Sequence, residues 1–160
     1  MSSAKATGNA TGKEETVCSI ARTLEVVGDK WTLLVLREAA IRGVTRFADF
    51  RRELGIAPDL LTGRLGSLVD EGIMEKRPYR EPGSRTRYSY HLTPAGEELR
   101  LILAALQQWG DTHRTPARGP SHLRRSADEG RPVSVAFVDD AGTVLPPEGV
   151  EFTPSEGVAR

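Results

Sequence analysis

A single cysteine, Cys18, excludes any disulfide within the 160-residue chain and any cysteine-rich metal site. Histidine is nearly as scarce: His91, His113 and His122 are scattered, with no i, i+4 pair that could hold a metal. The Gly-x-Ser-x-Gly elbow, the His-Glu-x-x-His helix and the dinucleotide glycine fingerprint are all missing, which argues against catalysis and against a bound cofactor. Gly8 to Lys13 is one residue short of a phosphate loop, follows no strand and carries no phosphate reading. No apolar run is long enough to span a bilayer, and MSSAKATGNATGKEET lacks an apolar signal core, so no membrane partner is expected and the expected location is the cytoplasm.

Excess charge is missing as well, since 22 basic residues balance 22 acidic ones. The distribution is uneven: Cys18 to Arg114 holds fifteen basic against thirteen acidic residues, and Thr115 to Arg160 five against seven. A local positive surface therefore survives the neutral total. Apolar content of 38% and charged content of 28% suit one globular domain with a proper core.

The most informative stretch is Val44 to Leu92. Phe47, Phe50 and Leu54 lie at i, i+3 and i+7, one buried helical stripe, with Arg46, Arg51, Arg52 and Glu53 left to solvent. Gly55 suits the left-handed position that ends such a helix. After the short Gly55-Ile56-Ala57 turn, Pro58 fits the first turn of a second helix, whose inward stripe is Leu61, Leu65 and Leu68. Its outward face carries Asp59, Thr62, Gly63, Arg64 and Ser67. A helix matches the major groove in diameter, residues near its N-terminus reach base edges, and small residues permit close approach. Arg64 is the best single candidate for a base or phosphate contact. Asp59 is read as a cap on its own helix, in preference to an acceptor for cytosine or a repeller of phosphate.

Two alternating strands follow, Ile73 to Pro78 and Tyr88 to His91, joined through Glu81-Pro82-Gly83-Ser84. Lys76, Arg77, Arg80, Arg85 and Arg87 face one acid, Glu81, across this hairpin. Such a tip can track phosphates or enter a minor groove; charge that merely protects a sheet edge is the plainer reading, and the neighbouring helix pair favours DNA. Two short helices and a basic hairpin in this order make a winged helix-turn-helix. The expected contacts to double-stranded DNA are Arg46, Pro58, Asp59, Thr62, Gly63, Arg64 and Ser67, with Arg80, Ser84, Arg85 and Arg87 from the wing.

Before this unit, Cys18 to Val27 reads as a helix with Ile20, Leu24 and Val27 on one side, ended by Gly28. Asp29 caps a second helix reaching about Ile41, with Trp31, Leu34, Val35 and Glu38 in register and Trp31 read as core; Gly43 ends it and Thr45 begins the next. After the wing, Thr93 and Pro94 start a helix that runs to about Thr112 through Leu99, Ile102, Leu103, Leu106 and Trp109. It is longer than the domain needs for itself. Ile20, Leu24, Leu99, Ile102, Leu103, Leu106 and Trp109 are therefore expected at a homodimer interface that presents two recognition helices about 34–36 Å apart.

Residues 120 to about 146 read as a small β meander, with Pro132 to Val138 a strand, Asp139 to Gly142 a turn and Thr143 to Leu145 the return. It could cover the dimer core, extend the interface or decorate the surface. The expected architecture is α+β, mostly α: a disordered tail over 1–16, a winged-helix and dimerisation domain over 17–114, a β-rich extension over 115–148 and a flexible tail over 149–160.

These residues resemble the HxlR family of bacterial winged-helix transcriptional regulators. The resemblance covers about Cys18 to His113 and rests on seven ordered features: the cysteine opening the first helix, Gly28-Asp-Lys-Trp-Thr-Leu-Leu-Val-Leu-Arg37, Arg46-Phe47 with Phe50, Leu61-Thr62-Gly-Arg64-Leu65 leading to Glu71-Gly72-Ile73, Tyr79 and Tyr88 at the wing ends, Leu92-Thr93-Pro-Ala-Gly96, and Trp109-Gly110. It implies a homodimeric DNA-binding regulator, more a repressor than an activator, with first and last helices at the interface and a pseudo-palindromic operator. It also implies that some relatives sense oxidants or electrophiles through the thiol matching Cys18. Here Ser19 stands where the family usually has proline, and Ala57-Pro-Asp59 departs from the common serine-containing start. Cys18 thus has two readings, a helix-terminal reactive thiol or a small buried hydrophobe, and oxidation would need a thiol from outside the chain. A small-molecule effector is compatible with the sequence, which names none. The alternative function is a winged-helix protein-interaction module without DNA binding.

Overall fold

A computed structural model describes residues 18–154. The tail expected over 1–16, with its Gly8 to Lys13 stretch, and the last six residues of the chain lie outside the described residues.

Five helices and a hairpin follow in order: α1 (Ser19–Val27), α2 (Lys30–Arg42), α3 (Phe47–Leu54), α4 (Pro58–Asp70), β1 (Met74–Tyr79), β2 (Arg87–Leu92) and α5 (Pro94–His113). Each boundary has a local cause. The Asp29 side chain accepts from the backbone N–H groups of Trp31 and Thr32 at 2.9 and 3.2 Å, which satisfies the first turn of α2. Gly43 at φ 66° ends it, with the N–H groups of Gly43 and Val44 donating back to Ala39 and Glu38. Gly55 at φ 62° does the same for α3. Thr93 caps α5 and Pro94 opens it.

Thr45 does not start α3. Tyr90 N–H donates to the Thr45 carbonyl at 2.8 Å and Arg46 bridges Ser89, so both residues add a short antiparallel edge to β2 before α3 begins at Phe47. β1 and β2 pair antiparallel from Met74 opposite Leu92 to Tyr79 opposite Arg87.

The core is centred on α2. Val35 and Leu36 are buried beside Phe50 of α3, Leu61, Leu65 and Leu68 of α4, Met74 of β1 and Leu103 of α5, while Trp31 packs half-buried at the edge. Glu38 is fully buried in this apolar setting. Arg37 Nε and Arg42 Nη1 donate to its two oxygens at 2.9 and 3.0 Å, and Arg42 also reaches Glu53 of α3 at 2.8 Å. A buried carboxylate persists only with such partners.

Beyond α5 the β content is smaller than expected. Arg125 bridges Pro132, and β3 (Phe137–Val138) pairs with β4 (Val144–Leu145) around the Asp139 to Gly142 turn, where Asp139 Oδ1 accepts from Ala141 and Thr143. The remainder is irregular because its backbone is fastened to side chains of α5. Gln108 donates to the Val135 carbonyl at 2.8 Å and accepts from its N–H at 2.9 Å, while Gln107 donates to the His122 carbonyl at 2.6 Å. Arg124 pairs with Asp111 at 3.3 Å. Pro147–Gly149 forms a 3₁₀ turn, and the exposed Phe152 meets Phe137 edge to face at 6.5 Å.

Gly96 is required by close approach, since a Cβ there would press into the carbonyl oxygen of Ile73. Gly96→Ala is expected to lower the unfolding free energy by about 1–3 kcal/mol in urea titration. Gly63→Ala meets open space in a helix and is expected to raise it by up to about 1 kcal/mol.

Arg52, and then Arg42, hold the Glu53 carboxyl below its ordinary pKa. Its contribution to stability is therefore present above the ordinary carboxylate range and is lost as pH falls through the lowered value. Between about pH 5 and 3, the urea midpoint of Glu53→Gln is expected to fall less than that of the parent.

Candidate nucleic-acid interface

The leucine stripe of α4 turns its other side outward. Pro58, Asp59, Thr62, Gly63 and Ser67 are all exposed there, and no atom lies near the position a Gly63 side chain would take. Thr62 and Ser67 donate their hydroxyls to the carbonyls of Pro58 and Gly63, at 2.9 and 3.0 Å, which sets the hydroxyl rotamers while both residues stay exposed.

Two residues of this face are placed differently from expectation. Asp59 is not a cap: Ala57 holds the N-cap position without a side-chain bond, and Asp59 lies inside the first turn. There its charge still complements the positive helix end. Arg64 is not free: its Nη2 pairs with Asp29 Oδ2 at 3.0 Å, its Nε is buried without a partner, and its side chain is one-third exposed. Asp29, read from the sequence only as a cap, uses one oxygen for α2 and the other for α4. The partners are 35 positions apart, so no local spacing announces them.

The wing stands beside α4. Gly83 at φ 75° and the Ser84 N–H donating to Glu81 at 3.0 Å close a turn of type II geometry, as Pro82-Gly83 requires. Arg80 Nε braces the turn by donating to the Ser84 carbonyl at 3.0 Å. Arg46 pairs with Glu81 at 3.0 Å and stacks over Tyr79 at 4.8 Å, tying the wing tip to the start of α3. Arg77 is neutralised by Glu75, and Lys76 lies over Tyr88 at 4.3 Å. Arg85 and Arg87 are exposed, with no carboxylate at ion-pair distance among the described residues. Of the four arginines expected at the wing, only Arg77 is neutralised by a carboxylate among the described residues; Arg80 keeps its charge while bracing the turn, and the side chains of Arg85 and Arg87 have neither ion pair nor hydrogen bond there.

The expected dimer residues divide between two faces. Leu103 is buried and Leu99 packs on the core, so both serve the protomer itself. Ile20 and Leu24 on α1 are 69% and 56% exposed, and Leu106 and Trp109 on α5 are 51% and 57% exposed, with Ile102 beside them. Leu101, outside the expected set, is also exposed on α5. Cys18 is exposed at the N-cap of α1. Among the described residues no three His, Cys, Asp or Glu cluster as metal ligands, and no helix is long and apolar enough to cross a membrane.

Removal of the Arg64 partner tests this geometry. Asn caps a helix about as well as Asp, so Asp29→Asn isolates the ion pair from the cap. The expected loss is on the order of 1 kcal/mol by urea titration, small because the pair is partly exposed.

Over residues 26–118 the chain matches the HxlR-like helix-turn-helix family. An uncharacterized HTH-type transcriptional regulator of Mycobacterium tuberculosis strain H37Rv is 43% identical over 102 residues, 64% of this chain and 63% of that protein. The chain thus spans less than two-thirds of that relative's length. Of solved structures, the candidate transcription factor PA1607 superposes with a TM-score of 0.75 at 32% identity, over 88% of this chain and 97% of PA1607. The redox regulator HypR, in its oxidized form, superposes with a TM-score of 0.55 at 31% identity, over 62% of this chain and all of HypR.

Proposed function

The chain belongs to the HxlR-like helix-turn-helix family, and from that premise we propose that it is a homodimeric, sequence-specific DNA-binding regulator that represses transcription by occupying promoter DNA. The observation that carries this reading is the open face of α4 beside a wing whose arginines Arg85 and Arg87 are left unpaired. In the proposed complex, Pro58, Thr62, Gly63 and Ser67 approach base edges in the major groove. Arg85 and Arg87 meet phosphates or the minor groove, with Arg80 and Ser84 shaping the tip. Arg46 and Arg64 act mainly by positioning, and Asp59 restrains how closely phosphate can approach.

Dimerisation uses Ile20 and Leu24 of α1 with Ile102, Leu106 and Trp109 of α5, which together expose more apolar surface than scattered single residues would. Two copies place their α4 helices about one DNA turn apart on a pseudo-palindromic site. Cys18, exposed at the end of α1, is the residue through which an oxidant or electrophile would act on this interface.

Selection of bound fragments from random DNA is the direct test, and failure to enrich any sequence overturns the reading in favour of a protein-interaction module. Arg85→Ala and Arg87→Ala are each expected to weaken all sequences alike and to reduce the salt slope by about one. Thr62→Ala should instead alter which sequences are selected. Leu24→Glu or Trp109→Glu is expected to yield a monomer in sedimentation. If diamide releases DNA from Cys18→Ser as it does from the parent, the thiol has no sensing role.

A further inference from the structure

Between α2, α5 and the backbone at Ser121 and His122 lies a cleft of about 570 Å³. That volume is within the range of about 300–1,000 Å³ common to small-molecule sites. Its walls are leucines, among them Leu34, Leu103 and Leu106, and its charged lining is cationic, with Lys30 and Arg37 and no carboxylate. Arg37 is already committed to Glu38. Lys30 is exposed, its ammonium 5.2 Å from the Trp31 ring centre, with no carboxylate at ion-pair distance among the described residues. One wall comes from beyond residue 118, where the family match ends, and is held by the bond from Gln107 to the His122 carbonyl.

We propose that this cleft binds a small amphipathic carboxylate, its apolar body against Leu34, Ile41 and Leu103 and its anionic head on Lys30, and that occupancy loosens the grip on DNA. A lining lysine with no carboxylate partner, whose long side chain can turn from the Trp31 ring toward the cleft, favours a ligand with one negative end over a neutral one. The route to α4 is short. Lys30 follows Asp29, whose carboxylate caps α2 with one oxygen and holds Arg64 with the other. A ligand that draws the first turn of α2 toward the cleft strains the Asp29–Arg64 pair and turns the outward face of α4. This second half rests on the DNA-binding reading; the site itself does not.

Calorimetry of the full chain with octanoate and 1-naphthoate, against octanol and 1-naphthalenemethanol, tests the site without DNA. The acids are expected to bind about tenfold more tightly than the alcohols, a preference that Lys30→Gln removes. Leu34→Trp, which fills the cleft, is expected to abolish binding of both classes while leaving the circular dichroism unchanged. Absence of acid binding, equal affinity for acids and alcohols, or a Leu34→Trp chain that still binds octanoate overturns the site. A Leu34→Trp chain that turns monomeric, with no acid binding to the parent, assigns the cleft to a second copy and also overturns it. Octanoate is then expected to weaken binding to selected DNA in the parent and not in Lys30→Gln. Calorimetric binding with unchanged DNA affinity overturns the coupling alone.

Discussion

A single carboxylate, Asp29, ties α4 to the start of α2. Leucines at 61, 65 and 68 press α4 onto α2, and burying each contributes about 1.5–3 kcal/mol, so the apolar contact dominates stability. Such burial is non-directional and tolerates small rotations of one helix on another. Asp29 does not. It is fixed by two backbone N–H groups of α2 and takes Arg64 of α4 at 3.0 Å, which adds a directional restraint to the leucine contact. An exposed pair of this kind adds roughly 0–1 kcal/mol, so its consequence is direction more than stability.

A chain of zero net charge can still present a local positive surface, because among the described residues the charges left without an ion pair at the wing are all cations. Acidic residues are spent inside the protomer: Glu38 and Glu53 on Arg42, Glu75 on Arg77, Glu81 on Arg46 and Asp29 on Arg64. Each pairing locks one element to another or stiffens a strand. The arginines left over at the wing, Arg85 and Arg87, are the ones with nothing to hold. A formal sum over the sequence cannot distinguish a committed arginine from a free one, because commitment is a property of the fold.

Features governed by neighbouring residues were legible in the sequence. The caps at Asp29 and Thr93, the glycine stops at Gly43 and Gly55 and the turn at Pro82-Gly83 depend on only a few adjacent positions, and the stripes of α3 and α4 follow from a period. Features settled by distant partners were not. Arg64 reads as an outward cation until Asp29 is placed beside it, and Glu38, in register with the apolar side of α2, has no evident partner until Arg37 and Arg42 close on it. Thr45 has the chemistry of a cap, but its backbone carbonyl accepts from Tyr90 N–H of β2, and the N-cap of α3 is Arg46. Asp59 lies two residues past the actual N-cap, a difference that composition alone does not resolve. The segment after α5 alternates like a meander, yet the side chains of Gln107 and Gln108 claim the backbone groups that longer strands would have paired.

The apolar spacing of α5 conceals a division that a helical projection reveals. At about 100° per residue, Leu99 and Leu103 occupy a sector from about 0 to 40°, and these are the residues turned into the core. Ile102, Leu106 and Trp109 fall from about 280 to 340°, adjacent but distinct, and these are exposed. Gln107, Asp111 and Gln108, which fasten the C-terminal extension, fall from about 80 to 180°. The extension is therefore anchored on the far side of the core sector from the exposed one. It leaves Ile102, Leu106 and Trp109 uncovered, and α1 adds Ile20 and Leu24 to the exposed apolar surface. A helix of 20 residues, about 30 Å long, thus has one sector for its own core and one for its own tail, and keeps a third that is apolar and open. That third sector is the surface that the proposed second chain would cover, and its Leu106 and Trp109 lie on the part of α5 that extends beyond the contacts with its own core.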